Sequence, residues 1–438
     1  MNFYSTNHSA PQVSFKEAVL HGMPPDNGLY MPLSIPKIPA ELLNDLPDLN
    51  FQELALEISK LWLNEDIDEK WLKKIVYEAI DFDATLHKVK ENIFSLELYH
   101  GPTYAFKDFG ARFMARLLSH FVRKESNETV ILVATSGDTG SAVAQGFYKI
   151  PGIYVVLLYP GGKVSKLQEK QITTIGGNVT ALEVDGTFDD CQMLVKQAFL
   201  DEDLNDIMHL TSANSINFAR LLPQSFYYIY AYAQLKQYEK PIVFSIPSGN
   251  FGNMCGALLA KKMGIPIHHL IAATNANNIV PQYLESGKFE PRPSLKTISN
   301  AMDVGNPSNF PRILELYGNK YENVIKDIHG SAYSDHITKK AILNIFKERH
   351  YLMCPHSAIG YLGLHDYLLG RENEFTGVFV STAHPAKFSN EINKFLDYEI
   401  AFPHGLKSVM NKKKVSVKMN SDYEDFKRFL LKASWRKK

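Results

Sequence analysis

Apolar positions change their period partway along the chain. Between residues 51 and 82 they recur at helical spacing, at Leu54, Leu56, Ile58, Leu61, Leu63, Trp71, Leu72, Ile75 and Val76, which predicts amphipathic helices. Ahead of them, Ser14 and Glu17 form a capping box for a short helix that Gly22 closes. The segment from Gly28 to Pro32 reads as extended. Residues 1–88 are therefore expected to form a helical N-terminal unit. Beyond them short apolar runs take over. Residues 130–135, 153–158, 178–184, 242–246, 269–274 and 378–380 each predict a strand. Helical patterns fall between and after them, at 166–175, 188–199, 215–237 (interrupted or restarted at Pro223), 253–263, 278–286, 309–317, 335–349 and 357–369. Strands alternating with helices at this spacing predict a mostly parallel sheet covered on both faces. A last amphipathic helix is expected near 422–433.

Composition narrows the class. With 438 residues, 45% of them hydrophobic, the chain can bury two or three cores. Its 47 basic and 47 acidic residues cancel, so no basic excess points to nucleic acid. Cys191, Cys255 and Cys354 are scattered without paired spacing, which disfavours a disulfide framework or a zinc site and fits a reducing compartment. The N-terminus is polar, with no signal-peptide pattern, and the apolar run 153–159 is far short of a membrane span. The expectation is a soluble, cytoplasmic protein with no membrane, nucleic-acid or metal partner. The basic cluster Lys412-Lys413-Lys414 reads as solvated surface.

The chemistry centres on the stretch ELYHGPTYAFKDFGARFM, residues 97–114. Its lone lysine, Lys107, follows a Gly-Pro turn and lies among Tyr104, Phe106 and Phe109. An apolar pocket of that kind lowers an amine's pKa and frees the neutral nucleophile that attacks an aldehyde. Three predicted strands end in small, polar loops: TSGDTG at 135–140, PSGNFGN at 247–253 and STAHP at 381–385. Ligands of open α/β sheets bind at such strand ends. Gly249 and Gly252 let backbone N–H groups crowd a phosphate, and the helix that follows offers its positive end. Each loop alone is equally a plain strand-to-helix turn. Neither glycine loop has the spacing of a nucleotide-binding motif. Together they supply what pyridoxal 5'-phosphate (PLP) requires: an aldehyde partner, a phosphate cradle and a partner for the pyridine nitrogen.

The motifs HGPTYAFKDFGARF, TSGDTGSAVA, SANSINFARLL, SIPSGNFGN, SNAMDVGNPSN and TAHPAKF, in this order, closely resemble the bacterial and fungal branch of the threonine synthase family. The resemblance spans essentially the whole chain. It implies the PLP type II (tryptophan-synthase-β-like) fold, an α/β architecture of mostly parallel sheets covered by helices. The expected organisation is an N-terminal domain at 1–88, a catalytic region at 89–405 with its smaller subdomain at roughly 110–215, and a tail at 406–438. The implied reaction is conversion of O-phospho-L-homoserine and water to L-threonine and phosphate, by γ-elimination and β-hydration, as a monomer or homodimer. A PLP-dependent serine/threonine lyase would share the lysine and cradle without needing a second anion site, and a non-catalytic ligand-binding relative would not need Lys107.

Carried over by resemblance, Lys107 matches the Schiff-base lysine and also the group that moves the substrate's protons. Gly249, Asn250, Phe251, Gly252 and Asn253 match the loop that binds the PLP phosphate. Thr382 matches the hydroxyl residue facing the pyridine nitrogen. Thr135, Ser136, Gly137 and Thr139 match the segment that holds the substrate carboxylate. Asp138, in the same loop, stands beside the cofactor's ring hydroxyl where the wider fold has asparagine. A carboxylate there has to share a proton or point away. For the substrate's own phosphate the candidates are Asn214, Ser215, Asn217 and Arg220, with Ser212 beside them, and Lys163, Ser165 and Lys166. Arg220 reads equally well as part of a helix-surface salt bridge. His100 and His384 are given no role.

Overall fold

Two large sheets carry the architecture in the computed structural model, which describes residues 1–123, 128–135 and 137–432. The smaller one orders its strands Val417–Asn420, Val179–Asp185, Ile153–Pro160, Thr129–Ala134 and His209–Ser212, all parallel. The larger one orders Ile328–Ala332, Ile267–Thr274, Ile242–Pro247, Thr376–Ser381, Ile93–Glu97 and Thr85–Lys90, parallel except for the last pair. Ile242–Pro247 and Thr376–Ser381 are buried along their whole length. Helices cover both faces of such strands, which is why they read as unbroken apolar runs.

Five of these strands lie outside the sequence-based expectation, Val417–Asn420 of the tail among them. Thr85–Lys90 is an edge strand and mostly exposed, so it alternates weakly. Ile93–Glu97 is wholly buried but carries Ser95 and Glu97. Their polar groups are satisfied across the fold, by Ser381 Oγ at 2.8 Å from Ser95 Oγ and by the Tyr351 hydroxyl at 2.8 Å from both. Pairing partners 250 residues or more away leave no local signal. His209–Ser212 and Ile328–Ala332, at sheet edges, are short and partly polar, and give no apolar run to read. The N-terminal region is also less helical than expected. Beside the helices Phe15–His21, Phe51–Leu63 and Glu69–Ala79 it holds a small antiparallel sheet of Val13–Ser14, Asn2–Ser5 and Tyr30–Pro32.

The helix Lys107–Val122 is the hub of the core. Phe109, fully buried, meets Phe51, Phe82 and Tyr227 at ring separations of 5.7, 4.7 and 5.2 Å. Each buried aromatic contributes about 2–3 kcal/mol, and here that burial fixes the helix whose first residue is the candidate lysine. The tail closes the other end of the molecule. Phe426 and Leu430 of Tyr423–Leu431 pack with Leu194, Val195 and Ala198 beneath the smaller sheet. Within the basic cluster only Lys412 and Lys413 are solvated. Lys414 pairs with Glu169 at 2.6 Å and Glu183 at 2.8 Å. Among the described residues no helix is long and apolar enough to cross a membrane.

Candidate active site

The turn before Lys107 is held by its own sequence and by the loop after Thr376–Ser381. The Asp108 carboxylate accepts from the Thr103 N–H at 2.8 Å and the Thr103 hydroxyl at 2.6 Å. Gly101 is required because a Cβ there would sit 2.6 Å from that carboxylate. Phe106 N–H donates to Thr382 O at 2.9 Å, Ala105 bridges Ala383, and His384 N–H donates to Tyr104 O at 3.1 Å. Backbone bonds thus bring Lys107 and Thr382 into one place, 275 residues apart in sequence. Burial pushes the Lys107 amine down to about 8, with Arg220 and Lys387 adding to the fall and Asp138 opposing it. At neutral pH a useful fraction is the neutral nucleophile.

The TSGDTG loop is organised by Thr135. Its hydroxyl accepts from Gly137 N–H at 3.1 Å and Gly140 N–H at 2.8 Å, so it shapes the loop from within. Thr139 is half-buried at the start of helix Asp138–Phe147; Ser136 lies outside the described residues. Asp138 resolves the question its charge raised. Burial alone would raise its carboxyl, but Lys387 and Lys107, with hydrogen bonds from Lys387 and Gln168, hold it down to about 2. The Lys387 ammonium lies 2.7 Å from Asp138 Oδ1, and Gln168 Nε2 donates to the same oxygen at 3.2 Å. The carboxylate is ionised and paired. Lys387 is the residue sequence reasoning passed over, although it stands in the TAHPAKF motif.

In the loop that follows Ile242–Pro247, Gly249 packs so closely that a Cβ would lie 2.7 Å from Met302 Cα. Phe251 takes a left-handed conformation (φ 60°) and caps helix Gly252–Lys262. Gly252 is different. Its φ is not left-handed, and a Cβ would make only ordinary contacts, 3.5 Å from Asn309 Nδ2 and Ser215 Cβ. The protein itself does not need glycine there. What the missing side chain leaves open is the approach to the first N–H groups of the helix. Hydroxyls and amides surround that opening: Asn250 Nδ2 donates to Ser215 Oγ at 3.3 Å, Asn309 Nδ2 to the same oxygen at 3.2 Å, and Ser308 N–H and hydroxyl to Asn250 Oδ1 at 2.6 and 2.8 Å. Asn253 Oδ1 accepts from the hydroxyls of Tyr227 at 2.6 Å and Tyr228 at 2.8 Å. A helix N-terminus with such a rim suits a phosphate. Ser215 stands at this rim.

Behind it lies a second residue that sequence reasoning missed. Arg312 is fully buried and donates to Asn309 Oδ1 at 2.5 Å, Ser215 O at 3.3 Å, Ile216 O at 2.5 Å and Tyr30 O at 3.3 Å. No carboxylate pairs with it among the described residues.

The remaining candidates divide. Arg220 is buried and lies against Gly110 of the Lys107 helix, where a Cβ would sit 2.8 Å from its carbonyl oxygen and 3.2 Å from its Nε. It donates to Ala213 O, and its Nε meets no acceptor. No surface salt bridge forms there. Asn214 is half-buried in the same loop. The Asn217 amide is committed to the protein, donating to Val19 O at 2.9 Å and capping helix Phe218–Leu221 through Ala219 N–H at 3.0 Å. Lys163 is exposed, and its charge acts on Asp190. Ser165 caps helix Lys166–Thr173 and reaches Asp138 only through Gln168, whose Oε1 accepts from it at 3.0 Å. His384 and His356 are pushed down to about 4 by burial, and each accepts a backbone N–H, from Ala386 at 3.1 Å and Ala301 at 3.2 Å. Neither is free for proton transfer.

Residues 79–380 match the family described as pyridoxal-phosphate dependent enzyme, residues 2–80 the threonine synthase N terminus and residues 357–430 the threonine synthase C-terminal family. The threonine synthase of Haemophilus influenzae is 44% identical over 99% of this chain and 100% of its own. The crystal structure of threonine synthase from Escherichia coli superposes with a TM-score of 0.89 at 39% identity, covering 98% of this chain and 99% of that one. A PLP-bound threonine synthase from Brucella melitensis superposes with a TM-score of 0.92 at 32% identity, covering 98% of each.

Proposed function

The chain belongs to the threonine synthase family, and from that premise we propose how its own residues divide the work. It is a PLP-dependent lyase that converts O-phospho-L-homoserine and water to L-threonine and phosphate. The fold is the PLP type II fold. The observation that carries the division of labour is the presence, in one fold, of an amine whose pKa burial lowers to about 8 and a glycine-opened helix N-terminus at Gly252.

Lys107 holds the cofactor through its amine, and Gly249, Asn250, Phe251, Gly252 and Asn253 receive the cofactor phosphate, with Ser215 on the same rim. Thr382, fixed to the Lys107 turn through its carbonyl, presents its hydroxyl to the pyridine nitrogen. When bound, PLP supplies an electron-withdrawing ring that acidifies the substrate's hydrogens. With the cofactor in place, the Lys107 amine would take the α-proton and return protons along the substrate's carbon chain. Its low pKa suits both directions of transfer. Phosphate leaves the γ-carbon and water adds at the β-carbon. At the start of helix Asp138–Phe147 the N–H groups of Asp138 and Thr139 are offered to the substrate carboxylate, and Thr135, which takes the N–H groups of Gly137 and Gly140, keeps the loop in shape. Arg220 and Asn214 receive the substrate phosphate; the buried guanidinium with its unpaired Nε supports this, and Lys163, exposed, is the weaker choice. The reading is tested directly by phosphate and threonine release from O-phosphohomoserine in equal amounts. Phosphate release accompanied by ammonia and 2-oxobutyrate, with no threonine, would point to a dehydratase-type outcome.

Residues 1–88, 89–405 and 406–438 are proposed as the N-terminal, catalytic and tail units, the tail lending its strand to the smaller sheet. The three buried free thiols support a reducing, cytoplasmic setting, and the enzyme is proposed to work as a monomer or homodimer.

Two variants separate the two anion sites. Gly252→Val fills the opening over the helix N-terminus and should lower PLP retention at least about tenfold while thermal stability holds, since ordinary contacts surround the new Cβ. Retention equal to the parent would remove this loop from the cofactor site. Arg220→Lys replaces a planar fork with a point charge. It should raise KM for O-phosphohomoserine about tenfold and leave the cofactor's absorbance unchanged. An unaltered KM would move the substrate phosphate elsewhere.

A further inference from the structure

Lys387 is a buried charged residue that the division above leaves without a task. Its side chain is wholly inaccessible to solvent, and Asp138, its partner at 2.7 Å, is 6% exposed. It follows strand Thr376–Ser381 of the larger sheet, whereas Asp138 follows strand Thr129–Ala134 of the smaller one, so the pair joins the two sheets. A second N–H donates to Thr103 O at 2.9 Å, an oxygen that also accepts from Gln171 Nε2 at 3.2 Å. The ammonium therefore ties three segments together: the turn before Lys107, the TSGDTG loop and the loop after Thr382.

A buried carboxylate must be neutralised by a cation or a proton. The two cations acting on Asp138 are Lys387 and Lys107. On Lys107 act Asp138, Arg220 and Lys387. Asp108, on the same helix as Lys107, is bonded to Thr103 and feels Lys387 and Arg112. His356, packed from helix Pro355–Leu368, is neutral and accepts from Ala301. Without Lys387, the cation left to Asp138 is the Lys107 ammonium. Capture by the carboxylate would hold Lys107 protonated and unreactive.

We propose that Lys387 is a positioning residue of the active site, whose buried ammonium, carried by the loop of the other sheet, occupies Asp138 and so keeps the Lys107 amine free. The role rests on Lys107 being the reactive amine, yet it is tested without cofactor or turnover. Full-length protein freed of cofactor is labelled with trace acetic anhydride over a pH series, and the Lys107 peptide is quantified by mass spectrometry. Lys387→Met should move the labelling midpoint upward by at least about half a pH unit, a fall of about threefold in labelling below the midpoint. Lys387→Arg should keep the parent midpoint, and Asp138→Asn/Lys387→Met should return close to it, because both charges are gone. An unchanged midpoint in folded Lys387→Met would overturn the proposal, as would a double variant that fails to return. Should Lys387→Met not fold, Lys387→Gln, which fills the same space and donates to Asp138 but carries no charge, takes its place, with the same upward shift expected and an unchanged midpoint overturning the proposal. Mapping of the residue that carries the cofactor reports separately on Lys107 itself.

Discussion

Lys107→Ala should lose threonine formation by at least about a thousandfold, because one side chain serves both as covalent anchor and as proton carrier. The fold should survive. The helix Lys107–Val122 is held by Phe109 and its aromatic neighbours and by the Asp108–Thr103 bonds, none of which involves the lysine amine. Alanine is also a good first-turn residue. The variant should still take up PLP through the glycine loop, because those backbone donors are intact, but release it on prolonged dialysis. The check is a pair of measurements: turnover with O-phosphohomoserine, and cofactor absorbance before and after dialysis. Activity within tenfold of the parent would assign the chemistry to another group.

The largest loss of stability should come from Arg312→Met. Its guanidinium serves four acceptors on three separate stretches of chain: Tyr30, Ser215 with Ile216, and Asn309. Methionine fills much of the volume but donates nothing, so buried carbonyls are left unpaired at about 1–3 kcal/mol each, and not additively. The expected total is on the order of 3–5 kcal/mol, read as a shift of the urea midpoint at unchanged slope. Part of the cost of keeping a guanidinium buried is visible already, since burial pushes Arg312 down to about 10. Because Asn309 and Ser215 also border the opening above Gly252, PLP retention should fall together with stability. A variant that melts with the parent would show that these contacts add nothing.

Arg312 illustrates what the sequence conceals. In the stretch NFPRILEL an arginine one turn into a helix looks solvated, and every acceptor it serves is remote in sequence. Lys387 is hidden in the same way. Nothing near it distinguishes an ammonium with no exposure from the exposed Lys394 seven residues on. By contrast the central strands were legible, because burial on both faces writes continuous apolar runs, and the glycine loops were legible because the spacing of small and polar residues at strand ends is local. Ile93–Glu97 was not, since Ser95 and Glu97 break the apolar run and find their partners in Ser381 and Tyr351. The position of Lys107 was read from its motif. Its lowered pKa depends on Arg220, Lys387 and Asp138, which only the fold assembles. Asp138, puzzling as an isolated carboxylate, becomes ordinary once its counter-ion is in place.

Borohydride reduction of the PLP-loaded enzyme, followed by digestion and mapping of the pyridoxyl group, tests the central assignment most directly. The account predicts one pyridoxyl group per chain, on Lys107. A pyridoxyl group on Lys387 or Lys163, or none on any lysine of an enzyme that retains PLP and makes threonine, would contradict it.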